Sequence, residues 1–272
     1  MTQSYAEVIG DPIAHSKSPM IHGHWIEALG LDASYRAVHV LPGQLADYFA
    51  ARAADPAWRG CNITLPHKLA ALDHVEDRGN VRSTIGAINL AARADDGTII
   101  GTNTDAGGFY DPISALDLAG ASVTVIGSGG AARAVLFALA QVGVGRVNLV
   151  ARNPLKGAGL LAAFGLKGNV IAMSAPLPPA ALLVNASPLG MTGQPPLAID
   201  LAPLPDDAVV YDLVYAPLET PLLAAARARG LATVDGLEML IGQAALAFEI
   251  LFDAEPPRDD ASEAALRALL TA

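Results

Sequence analysis

The sequence predicts an α/β protein with mainly parallel sheets, and three observations carry that prediction. Short apolar strands alternate with Ala- and Leu-rich helical stretches along most of the chain. A glycine-rich turn, Gly127-Ser128-Gly129-Gly130, separates one such strand from one such helix. Hydrophobic residues make up 52% of the chain and charged residues only 16%, which excludes disorder and leaves apolar surface for a sizeable core. At 272 residues the chain suits two modest domains or one large one.

Taken in order, residues 6–9 read as a strand and 19–29 as a helix that Gly30 stops. Residues 34–40 are a second strand, 45–54 a helix, and 60–64 a third strand that runs into Leu65-Pro66-His67-Lys68. Residues 87–92 and 98–101 form a hairpin around Asp95-Asp96-Gly97. After Asp105 come strands at 122–126, 146–150, 182–186 and 209–213, with a helix at 131–142. That is a nucleotide-binding β-α-β series over roughly residues 106–236. Residues 237–252 read as a long apolar helix that returns to the first domain.

Composition narrows the function. The net charge of −10, with no basic run, argues against nucleic acid as a partner. A single cysteine, Cys61, rules out an internal disulfide framework and fits a reducing compartment. The opening Thr2-Gln3-Ser4-Tyr5-Ala6-Glu7 has no basic segment followed by an apolar one, so no signal peptide is expected. No apolar stretch reaches the roughly 18 residues that span a bilayer. The expectation is a soluble cytoplasmic protein with a small-molecule substrate and no membrane or nucleic-acid partner, as monomer or homodimer.

Two segments carry the chemistry. Lys68 follows a short apolar strand and a proline-fixed turn, and Asp105 ends the glycine-bounded polar loop Gly101-Thr102-Asn103-Thr104-Asp105. A lysine and an aspartate brought together form a general acid/base unit. Asp105 is then either the orienting group or part of the proton relay, and both remain open. Gly127-Ser128-Gly129-Gly130-Ala131-Ala132 matches G-x-G-x-x-A in strand-to-helix context. Its glycines permit close backbone approach, and the helix start offers N–H groups to a pyrophosphate. Past the next strand, where a carboxylate would select NAD, stand Arg152 and Lys156, two cations for a 2′-phosphate. NADP is favoured, with NAD the alternative. Together these imply an alcohol–ketone oxidoreductase. Ser16 and Ser18 in His15-Ser16-Lys17-Ser18-Pro19 are two hydroxyls suited to a carboxylate, although Ser18 before Pro19 also reads as a helix cap. Neither His15 nor His67 is given a catalytic role. The six histidines make no metal constellation, so no metal is expected.

At this point the chain resembles a family. The segment from Gly10 through Pro19, Asn62-Ile63-Thr64-Leu65-Pro66-His67-Lys68, Ile85-Gly86-Ala87-Ile88-Asn89 and Asn103-Thr104-Asp105 are similar to shikimate dehydrogenase motifs. So are the glycine turn, Asn185-Ala186-Ser187-Pro188-Leu189-Gly190-Met191, Tyr211-Asp212-Leu213-Val214-Tyr215, and the run from Asp235-Gly236-Leu237 to Gln243-Ala244. All eight occur in family order. The resemblance implies a substrate-binding and catalytic domain from residues 1–105 and 237–272, completed by the C-terminal helices. It implies an inserted Rossmann-type NADP domain over 106–236, with substrate in a cleft between the two. It further implies reversible reduction of 3-dehydroshikimate to shikimate, with Lys68 and Asp105 as the catalytic pair. Ser16, Ser18 and Tyr215 would serve the substrate carboxylate. Thr64, Asn89 and Gln243 would hold ring hydroxyls beside the pair, and Leu213 and Gly236 would meet the cofactor.

The chain departs from the family pattern at several places. Leu90 stands where threonine is usual, Arg82 where a small residue is common, and Ala216 where asparagine is common. Ala151-Arg152-Asn153 replaces Asn-Arg-Thr, and Phe248-Glu249-Ile250-Leu251-Phe252 lacks a frequent tryptophan. The alternatives are a dehydrogenase for quinate or a related hydroxylated cyclohexane carboxylate, using NAD or NADP, and a non-catalytic metabolite- or nucleotide-binding paralogue. Folate-type dehydrogenases share the layout but lack the paired serines.

Overall fold

The strand β1 (Ser4–Gly10) is buried from Ala6 onward, and a strand with no wet face needs partners on both edges. In the computed structural model, β2 (Ala33–His39) and β3 (Trp58–Ile63) flank it in parallel. β4 (Leu90–Arg93) and β5 (Ile99–Thr102) extend the sheet antiparallel, giving the order β2-β1-β3-β4-β5. The structure describes residues 3–271; Met1, Thr2 and Ala272, at the ends of the expected 1–105 and 237–272 segments, lie outside them.

Five helices accompany this sheet: α1 (Ser18–Ala28), α2 (Leu45–Ala53), the short α3 (Val81–Thr84), and, farther along, α8 (Gly236–Phe252) and α9 (Asp260–Thr271). Trp25, Trp58 and Phe248 are its largest fully buried side chains. One charge is buried with them. Glu7, in mid-strand, is fully inaccessible and accepts from Tyr48 at 2.6 Å, Arg52 at 2.7 and 3.0 Å, and Arg36 at 2.8 and 2.9 Å.

The second sheet is all-parallel: β6 (Ser122–Ile126), β7 (Arg146–Val150), β8 (Gly168–Ile171), β9 (Leu182–Asn185), β10 (Val209–Asp212) and β11 (Ala232–Val234). Its order, β11-β10-β9-β6-β7-β8, is doubly wound. The chain starts at β6, works out one side to β8, then returns to build the other side from β9. The reversal falls between β6 and β9, the place where such sheets bind nucleotides. α4 (Asp105–Tyr110), α5 (Gly130–Gln141), α6 (Pro154–Ala163) and α7 (Pro221–Ala228) belong to this part of the chain. Its core joins Ile126, Val150, Leu183, Val210 and Leu223.

Two compact units result, one of residues up to Thr104 with Ile241 onward, the other from Asp105 to Leu240. The sequence places the divisions at 105/106 and 236/237; the second structural division falls inside α8, which is continuous from Gly236.

Candidate active site

β1 and β3 run parallel with Ile9 opposite Ile63, so the loops that follow them leave the same sheet edge. Gly10 allows those loops to touch. A Cβ there would lie 2.6 Å from Thr64 Cγ2, and the Asp11 N–H donates to the Leu65 carbonyl at 3.0 Å. This brings the start of the segment from Gly10 to Pro19 beside the start of the Thr64–Lys68 loop. The capping alternative for Ser18 is not what the structure has. Ser18 is the first residue of α1, and no side chain caps that helix. The local hydrogen bond belongs to Ser16, whose Oγ accepts from the Ser18 N–H at 3.3 Å.

Lys68 is half-buried, and its carbonyl accepts from the Ile88 N–H at 2.8 Å. The next residue, Asn89, is a hub. Its Oδ1 accepts from the Thr104 N–H at 2.7 Å, and its Nδ2 donates to Thr104 Oγ1 at 2.8 Å and to Gln243 Oε1 at 3.1 Å. Asn103 Nδ2 adds a bond to the Ala87 carbonyl at 2.8 Å. The strip 87–89 therefore holds the backbone at Lys68 on one side and at Thr104 on the other. Asp105 follows Thr104 directly, is 4% exposed, and opens α4. His67 is buried and donates from Nε2 to the Val40 carbonyl at 2.6 Å, which pins the turn before Lys68. Sequence reasoning passed over Thr104: it lies inside a quoted motif, but its partner is 15 residues away.

In the second unit, Gly127 has φ +112°, and a Cβ there would sit 2.7 Å from the Ala186 carbonyl oxygen. Only glycine fits this approach. Gly129 caps α5 with no side-chain hydrogen bond, and the space a Cβ would take at Gly129 is open. Gly130 begins the helix and Ala132 is fully buried beneath it, with Ser128 and Ala131 half-exposed. The first-turn N–H groups of an uncapped helix are an anion site, so this cradle fits a dinucleotide pyrophosphate. Ile126 pairs with Val150, which puts the next loop alongside. Arg152 and Lys156 are both exposed there. Lys156 sits in the first turn of α6, and Asn153 caps that helix by accepting the Lys156 N–H at 3.0 Å.

The other half of the sheet edge is held by a polar knot. Asp212 Oδ1 accepts from Asn185 Nδ2 at 2.8 Å and from the Val214 N–H at 3.0 Å, while Oδ2 accepts from Thr220 Oγ1 at 2.7 Å. Burial raises the Asp212 pKa, and the donors from Thr220, Val214 and Asn185 oppose that rise. Leu213 and Gly236 meet: a Cβ on Gly236 would lie 2.4 Å from the Leu213 carbonyl oxygen. Tyr215 is half-buried in the same unit, and burial raises its pKa. Among the described residues no group of three His, Cys, Asp or Glu is placed to hold a metal ion. No helix among them is long and apolar enough to cross a membrane.

The class is now defined: a two-unit α/β protein whose second unit is a Rossmann-type dinucleotide-binding fold. The comparisons narrow it. Residues 8–91 match the shikimate dehydrogenase substrate binding domain, and residues 236–266 the shikimate 5′-dehydrogenase C-terminal domain. The chain is 65% identical over 270 residues to a shikimate dehydrogenase (NADP(+)) of Sphingopyxis alaskensis, covering 98% of this chain and 97% of that one. The shikimate 5-dehydrogenase of Thermus thermophilus, solved with NADP(H) and shikimate, superposes with a TM-score of 0.81 at 37% identity, over 97% of this chain and 99% of that one. A ligand-free 5-ketofructose reductase of Gluconobacter superposes with a TM-score of 0.87 at 31% identity, over 99% of both chains. The chain belongs to the shikimate dehydrogenase family.

The departures from the family pattern take structural places of their own. Leu90 is fully buried in β4. Arg82 is exposed and bonds Asp73 and the Leu72 carbonyl. Phe248 packs 5.5 Å from Trp25 and 4.9 Å from Phe252, beside a buried His22 whose pKa burial lowers to about 3. Ala216 contributes its carbonyl, which accepts from Thr192 N–H at 2.7 Å.

Proposed function

We propose that this chain catalyses the NADP-dependent, reversible reduction of 3-dehydroshikimate to shikimate, in the cytoplasm and within aromatic amino acid (chorismate) biosynthesis. The single observation that carries the reading is the strip 87–89. It holds Lys68 and the residue before Asp105 to one polar cluster with Gln243. The near-full-length relative named for this activity supports the substrate.

Bound cofactor supplies a hydride to the carbonyl carbon, or removes it from the carbinol carbon in reverse. The chain's own residues manage the proton. Lys68 gives a proton to the carbonyl oxygen as the carbinol forms, and Asp105 orients that exchange. Ser16, Ser18 and Tyr215 serve the substrate carboxylate. Thr64, Asn89 and Gln243 hold ring hydroxyls. Asn89 already spends its amide hydrogens on Thr104 and Gln243, so its part is to fix these neighbours as much as to touch substrate. Gly127, Ser128, Gly129, Gly130, Ala131 and Ala132 cradle the pyrophosphate. Arg152 and Lys156 pair the 2′-phosphate, and Leu213 and Gly236 border the nicotinamide. This makes residues up to 105 and from 237 the substrate domain, and 106–236 the NADP domain.

The test is a set of initial rates with shikimate and quinate, each against NADP and NAD. A clear preference for shikimate with NADP is expected. Preference for quinate or NAD overturns the substrate or cofactor assignment, and nucleotide binding without turnover overturns the enzyme.

A further inference from the structure

Asp212 is 0% exposed, and among the described residues its carboxylate has no cationic partner. It is held only by the neutral donors Asn185, Val214 and Thr220. A buried carboxylate is normally paired, because a lone charge in a protein interior is costly. Its position is specific. Asp212 ends β10 opposite Asn185, which lies opposite Ile126 at the end of β6. In a doubly wound sheet the two halves each take one nucleotide of the dinucleotide. The glycine turn, Arg152 and Lys156 mark the β6–β8 side as the adenylate half. The nicotinamide half is then the β9–β11 side, where Asp212 sits.

The peptide joining Leu213 and Val214 completes the geometry. Its N–H is tied to Asp212, so its carbonyl, on the opposite side of a planar trans unit, points away from the carboxylate. That carbonyl is the atom a Gly236 Cβ would meet. One carboxylate thus sets the orientation of a backbone acceptor and places a negative charge behind it.

We propose that Asp212 is a positioning residue whose buried charge favours the oxidised, cationic nicotinamide, so that the protein holds NADP+ more tightly, relative to NADPH, than its hydrogen-bonding geometry alone provides. This rests on the cofactor reading above. The nicotinamide ring is positively charged only when oxidised. Charge therefore separates the two forms, whereas loop geometry acts on both alike.

Asp212→Asn separates charge from shape. The amide oxygen accepts from Asn185 and Val214, and the amide NH2 donates to Thr220 Oγ1, so the knot keeps its three contacts. Wild type and variant are titrated with NADP+, NADPH and adenosine 2′,5′-bisphosphate. The Kd for NADP+ is expected to rise about fivefold or more, while the other two stay within about twofold. Equal weakening of NADP+ and NADPH, or no change in either, overturns the proposal. Failure of wild type to bind any of the three overturns the cofactor reading instead. If Asp212→Asn loses adenosine 2′,5′-bisphosphate binding, Asp212→Ser replaces it. Loss in both assigns the charge to folding and also overturns the proposal.

Discussion

Lys68 and Asp105 stand out in the sequence as the candidate pair because each ends a motif with little else to explain it. The bonds among the residues around them do not show in the sequence. Asn89 reaches Thr104 across 15 residues and Gln243 across 154, and no local pattern encodes such a pairing. Sequence also left a cap open at Ser18, since a Ser-Pro pair looks like a cap whether or not its hydroxyl is used; no side chain caps α1. Lys68 sits on a turn anchored by backbone bonds at His67 and Ile88 and by the His67 ring, none of which involves its own side-chain carbons. Lys68→Ala leaves those anchors in place and is expected to fold while losing turnover by ~10²-fold or more, the usual worth of a positioned proton donor. The drop should appear in kcat with the Kd for NADP+ unchanged. Near-normal kcat in a folded variant sinks the proton-transfer role.

At the level of elements, sequence pattern succeeded where burial is complete. β6 and β7 match their expected bounds residue for residue, and four consecutive buried positions in each make an apolar run that little else produces. It failed at the margins. α6 carries Gly157 and Gly159 behind Pro154, which lower helix propensity. β8 is an edge strand with no fully buried residue, so it carries no apolar run. α4, α7, β11 and α9 were likewise unmarked as bounded elements.

The Glu7 cluster was also invisible from sequence, yet it ties β1 to β2 and α2. Burial alone would raise the Glu7 pKa; bonds from Arg52, Tyr48 and Arg36 outweigh it, and the net shift is downward from 4.5. A depressed folded pKa means the stabilisation is complete above about 4.5 and is lost as pH falls toward the folded value. Glu7→Gln should then cost about 3 kcal/mol at neutral pH, the usual scale for breaking a buried pair. Urea unfolding should show that deficit shrinking as the pH is lowered below 4.5. A deficit independent of pH would show that the charge contributes nothing.

Across the whole molecule, the legible feature was the change of texture after Asp105, because a mixed sheet and an all-parallel sheet need different strand patterns. Where the units divide was less legible. α8 continues through the second division, and a continuous apolar helix leaves no composition break to read. All the residues assigned to the cofactor lie between Asp105 and Leu240, which makes the effect of the nucleotide on stability a test of the whole arrangement. A ligand that binds only the folded state adds RT ln(1 + [L]/Kd), about 2.7 kcal/mol at one hundred times Kd. For a chain of this size each kcal/mol moves the melting temperature by about 2–4 °C. Calorimetry with saturating NADP+ is thus expected to show a rise of roughly 5–10 °C in the transition that includes this unit. Hydrogen exchange read by mass spectrometry should place the new protection in peptides after β6, β7, β9 and β10. Protection confined to peptides before Thr104 would mean that the doubly wound sheet is not where the nucleotide binds, and would remove Arg152, Lys156, Leu213 and Gly236 from the site together.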